Sequence, residues 1–141
     1  METSDRTGRS RLIAAFLRRV LLKALTRLRL RNIEISLTLI SDAQMRRLNR
    51  KYRRIDRTTD VLSFGQNSEP PCGRRLLGDV LIAVSTARRQ ARQAQRDERE
   101  EFAMLAVHGL LHLLGHDHKC RKGERTMFAL QERLLRSVTR P

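Results

Sequence analysis

The run HGLLHLLGHDH at positions 108–118 holds all four histidines of this chain, and their spacing is that of metal chemistry. His108 and His112 stand four residues apart, so on a helix their rings stack on one face, near enough to share a cation. Gly115 supplies the left-handed conformation that ends a helix, and the reversing chain can return His118 as a third ligand. Three protein nitrogens leave a tetrahedral zinc one open position, the arrangement of a catalytic site, and a water held there would be acidified towards neutrality.

The spacing is that of the metzincin peptidases, but the glutamate that should follow the first His as general base is replaced by Gly109. Peptide hydrolysis by the usual zincin route is therefore not expected. His116 reads as a surface imidazole in the turn rather than a fourth, closing ligand. Asp117 fits either a partner to a ligand's second ring N–H or a turn residue, and Cys120 reads as a loop thiol.

A length of 141 residues suits one domain, 1–141, with a real core. The 30 Lys and Arg against 15 Asp and Glu leave a formal charge of +15, which points to a polyanionic partner, RNA or DNA first. Aromatic residues make up only 4% of the chain, so a platform stacking many successive bases is poorly supplied. Two cysteines, Cys72 and Cys120, form no disulfide framework and suit a reducing cytoplasm. Arg18, Arg19 and Lys23 break the apolar run near the N-terminus well short of a membrane span, and no signal peptide is expected.

The elements that must position the histidines follow from periodicity. Residues 1–9 are polar and expected to fray, and no opening strand is evident. An amphipathic helix is expected over 10–29, a half-buried strand over 33–40 (IEISLTLI), and a helix from the Ser41–Gln44 capping box to about Tyr52. Further strands fit 61–64 and 78–84, separated by a loop, 66–77, containing Pro70, Pro71 and Gly73. Asp60 and Asp79 open these strands and are suited to bonding backbone N–H groups there. Ser85 is expected to cap a helix whose Arg88, Arg89, Arg92 and Arg96 form a basic ridge. Asp97 with Glu100 is expected to cap the histidine helix. After a loop at 116–122, a last helix carries Met127, Leu130, Leu134 and Val138 at core spacing, and Met127 reads as packing rather than a Met-turn. The fold class is α+β, a single domain with a small mixed sheet of three to four strands packed with helices, and the three-His site lies on a helix and the turn after it.

The histidine run, with LNRKYRRIDRTTDVLSF at 48–64 and LLGDVLIA at 76–83, closely resembles the bacterial endoribonuclease YbeY family, the rRNA maturation factors, over roughly residues 32–138. The resemblance implies one zinc ion on His108, His112 and His118, and Arg53 of the YRRID segment as the family's functional arginine. It also implies cleavage of single-stranded RNA in maturation of the 16S rRNA 3′ end and in ribosome quality control, with rRNA and the small ribosomal subunit as partners. A guanidinium near the metal could clamp a phosphodiester and stabilise developing charge. Two positions depart from the family pattern: Thr58 replaces its usual Pro, and His116 its usual Tyr. The alternative reading is a non-catalytic RNA-binding ribosome-assembly factor with a structural metal; a hydrolase of another ester or amide is disfavoured by Gly109.

Overall fold

The apolar-rich strand over 33–40 forms as expected, and the other elements are built round it. The computed structural model describes residues 2–5, 11–65, 75–115 and 121–139. β2 (Ile33–Ile40) pairs in parallel with β4 (Arg75–Ala83), which pairs antiparallel with β3 (Val61–Gly65). Ile35, Leu37 and Leu39 are buried on one face of β2, Thr38 and Ile40 on the other, because helices cover both sides of the sheet.

A short β1 (Glu2–Asp5) adds to β2 in parallel and gives the order β1-β2-β4-β3. For residues 2–5 this corrects the expectation of fraying and of a missing opening strand; residues 1 and 6–9 lie outside the described residues. The pairing uses backbone groups alone, so ETSD needs no apolar alternation to join a sheet edge, and its composition carries no strand signal.

α1 (Arg11–Arg27) buries Ala14, Leu17, Val20, Leu21, Ala24 and Leu25 and stops where Arg29 turns left-handed. It packs with α4 (Glu98–Leu113) and α5 (Arg121–Thr139) in the main core. α4 is apolar on nearly every side, as a helix enclosed by neighbours must be, and it contacts α1, α3 (Val84–Gln93), α5, β3 and β4. α2 (Asp42–Arg53) lies on the opposite face of the sheet, where Met45 and Leu48 join a smaller cluster with Ile40, Leu62, Phe64 and Leu81.

The Ser41–Gln44 capping box forms with both reciprocal bonds. Three other local expectations fail. Ser85 does not cap α3 (Val84–Gln93); Asp42 at the start of α2 does so from outside, accepting from the Thr86 backbone N–H at 3.2 Å and its hydroxyl at 2.7 Å. Asp97 caps α4 through the Arg99 N–H at 2.7 Å, one residue earlier than a box with Glu100 requires. β4 begins at Arg75, so Leu77, expected in the loop, is instead buried in the strand. The arginine ridge is largely paired: Arg88 with Glu98 at 3.5 Å, Arg89 with Asp42 at 3.2 Å and Arg96 with Glu101 at 3.4 Å. Cys72, Pro70, Pro71 and Gly73 lie outside the described residues, as does the Met127 side chain.

Candidate metal centre

α4 carries His108 and His112 on the face turned towards β3, and their Nε2 atoms come within 3.1 Å of each other. Two nitrogens bound to one tetrahedral zinc at its usual bond length lie about 3.3 Å apart, so this pair already has nearly the required separation. The ring centroids are 4.6 Å apart with the ring planes at 66°, so the rings are not stacked face to face.

A residue on another helix sets the chemistry of the first ring. Gln131 of α5 is only 4% exposed, and its Oε1 lies 3.0 Å from His108 Nδ1. An amide oxygen accepts, so Nδ1–H donates and the neutral ring presents its Nε2 lone pair towards His112. Metal-ligating histidines typically have such a partner on the second nitrogen. Gln131 was not singled out from sequence, although a signal was present: with Met127, Leu134 and Val138 it falls on one helical face, a polar residue in an apolar stripe.

Gly115 ends the helix as expected, with φ of +90° and its N–H bonded to the His112 carbonyl at 3.0 Å. His118, the expected third ligand, lies outside the described residues, as do His116, Asp117 and Cys120. Among the described residues, no three His, Cys, Asp or Glu side chains converge as a metal shell. The structure thus brings together two of the three proposed ligands.

Gly109 now has a physical reason. A Cβ there would lie 2.7 Å from Val80 Cγ1 and 3.1 Å from Ser63 Oγ, while the Ser63 hydroxyl donates to the Gly109 carbonyl at 3.3 Å. The position that carries glutamate in zincins is pressed against the sheet here, so a side chain has no room.

Arg53 arrives from the other side of the sheet. It is the last residue of α2, because Arg54 adopts φ of +59° and the Ile55 N–H closes back on the Asn49 carbonyl at 3.3 Å. A left-handed arginine costs about 1 kcal/mol, and the turn it makes leaves Arg53 exposed at the helix terminus. From there it lines a cavity of about 430 Å³ together with Thr59, Asp60, Ser63, His108 and His112. The loop behind it is tied down twice: Asn49 Nδ2 donates to the Arg57 carbonyl at 2.8 Å, and the Thr58 hydroxyl to the Asp42 carbonyl at 3.3 Å. Thr58 therefore anchors the entry to β3 through its hydroxyl, where a proline would act through its ring. Asp60 bonds the Val61 N–H at 2.8 Å, the strand-opening role expected of it.

Beneath the cavity is a second polar group that sequence reading missed. The Gln90 amide, with its NH2 turned towards the acids, donates to Asp60 Oδ2 at 3.2 Å and to Glu101 Oε1 at 3.1 Å. Glu101 is 3% exposed, and burial pushes its carboxyl above the ordinary carboxylate range; Arg96 pulls it back and the Asp60 charge adds to the rise.

The sequence profile of the family described as Endoribonuclease YbeY matches residues 2–139. An Endoribonuclease YbeY of Persephonella marina is 41% identical over 125 residues, covering 87% of this chain and 82% of that protein. One of Moorella thermoacetica is 49% identical over 113 residues, covering 74% of this chain and 72% of its own. One of Myxococcus xanthus is 48% identical over 113 residues, which is 79% of this chain but 38% of that longer protein. In fold, the chain is similar to a Thermotoga maritima protein solved in solution, with a TM-score of 0.71 at 24% identity over 98% of this chain and 89% of that one. With a profile match over nearly the whole sequence and relatives that align along most of their own length, the chain belongs to the endoribonuclease YbeY family of RNA-cleaving hydrolases.

Proposed function

We propose that this chain is a zinc-dependent endoribonuclease that cuts single-stranded RNA in the cytoplasm, acting in maturation of the 16S rRNA 3′ end and in ribosome quality control on the small subunit. The observation that carries the reading is the convergence of Arg53 and the His108–His112 pair on one cavity, from opposite faces of the sheet. His108 and His112, with His118 from the segment after Gly115, would hold one zinc ion, which when bound supplies Lewis acidity to a phosphodiester oxygen. Arg53 offers two parallel N–H donors to the phosphate and stabilises the charge that builds on it in the transition state. Gln131 holds His108 in the tautomer whose Nε2 faces the cavity. The net charge of +15 draws RNA in, and among the described residues no helix is long and apolar enough to cross a membrane.

The test pairs metal analysis with cleavage of a defined single-stranded RNA, for the wild type and His112→Ala. Stoichiometric zinc and cleavage in the wild type, both lost in the variant, are the expected result. Cleavage that persists in His112→Ala after its zinc is gone refutes the reading, and zinc retained without any cleavage in the wild type would leave a non-catalytic RNA-binding assembly factor.

A further inference from the structure

Tyr52 is the single tyrosine of a chain that has no tryptophan, and it is 57% exposed. It precedes Arg53 in the last turn of α2, so the ring and the guanidinium that reaches the cavity leave neighbouring positions at the same helix end. The ring is not loose. Phe64 of β3 meets it edge to face with centroids 5.2 Å apart, and Phe64 is itself packed into the smaller core. Cations surround it: the Lys51 ammonium lies 5.2 Å from the ring centroid, and Arg50, Arg53 and Arg54 belong to the same turn.

Topology connects this ring to the cavity. Ser63 and Gly65 line the cavity from one face of β3, and Phe64 between them points to the other face, where it braces Tyr52. β3 ends the sheet order, so among the described residues only the width of one edge strand separates the two places. A strand of RNA whose phosphate sits beside Arg53 can pass round that edge and lay a neighbouring base against Tyr52.

We propose that Tyr52, braced by Phe64, is a stacking platform for one unpaired nucleobase next to the phosphate that Arg53 receives. This rests on the endoribonuclease reading above and adds to it a reason for single-strand preference. A base held in a duplex is stacked on its neighbours and cannot turn onto an isolated ring, whereas an unpaired base can. The scarcity of aromatic residues argues against a continuous platform and is compatible with a subsite for one base. The Lys51 side chain is long and exposed, so its ammonium can leave the ring for a phosphate when a base arrives.

The uniqueness of Tyr52 gives a direct probe, because all tyrosine emission comes from this ring. The full-length protein is titrated with a single-stranded 2′-O-methyl oligoribonucleotide and with an abasic strand of equal length and charge. Cleavage of the corresponding unmodified RNA is measured in parallel. We expect saturable quenching with the base-bearing strand only, and binding of that strand weakened about tenfold or more in Tyr52→Ala. Tyr52→Phe retains the affinity, and Tyr52→Ala no longer distinguishes the two strands. Equal affinity and equal quenching for both strands in the wild type overturn the proposal, and need no variant to fold. If the wild type cleaves RNA while Tyr52→Ala binds as it does, the subsite alone fails; if the wild type neither binds nor cleaves RNA, the endoribonuclease reading fails with it.

Discussion

The two ends of α4 each carry a polar cluster, and they are completed in different ways. At the N-terminal end, Glu101 takes hydrogen bonds from Gln90 and Arg96, and Gln90 also holds Asp60, so protein donors meet protein acceptors. At the C-terminal end, the Nε2 atoms of His108 and His112 face each other at 3.1 Å beside a cavity of about 430 Å³, with Arg53 at its margin. The first arrangement is closed and stabilises the helix; the second is suited to an external cation and an anionic substrate. The same helix can do both because its middle is locked in the core by Phe102, Ala106 and Leu110, although Asp60, held by Gln90 and lining the cavity, touches both clusters.

Three changes test how separate the ends are. Arg53→Ala strikes the open end hardest: turnover on single-stranded RNA is expected to fall about 10²- to 10³-fold, with little change in KM. Steady-state kinetics beside Arg92→Ala, an exposed arginine on α3, checks this, and an equal loss in both would remove the special standing of Arg53. Gln131→Leu is expected to lower zinc affinity about ten- to a hundredfold, read by competition with a chromogenic chelator. Unchanged affinity would mean that the Gln131 bond does not set the His108 tautomer.

The smallest effect belongs to the closed end. Folding raises the Glu101 carboxyl above its ordinary value of 4.5, so its favourable contribution is present at low pH and is lost as pH rises through the folded value. Glu101→Gln should remove that decline. The difference in Tm between variant and wild type is then expected to grow as pH rises from the ordinary carboxylate range towards neutrality, with zinc binding unchanged. A pH-independent difference would show that Glu101 does not titrate with the fold, and a loss of zinc would show that the ends are coupled.

Local signals made much of this legible. The period of 3.6 marked α1, α4 and α5, the Ser41–Gln44 box marked the start of α2, and Gly115 marked the end of the histidine helix. What failed depended on partners far along the chain. β1 is held by backbone pairing to β2, with no side-chain pattern to announce it. The cap on α3 comes from Asp42, more than forty residues earlier, and the arginine ridge is neutralised by acids that adjacency does not reveal. The meeting of Arg53 with the histidines is likewise tertiary, since it needs α2 and α4 on opposite faces of one sheet. Only the family resemblance pointed to it; spacing within the chain could not.

The contact of Gly109 with Val80 and Ser63 also bears on how this scaffold can change over evolutionary time. Converting HGxxH to the peptidase signature HExxH is one substitution on paper, yet the new carboxylate would have to displace a buried valine on the central sheet. Descendants of this fold are thereby kept from an obvious neighbouring chemistry by lack of volume, and a lineage taking that route would have to rebuild β4 first.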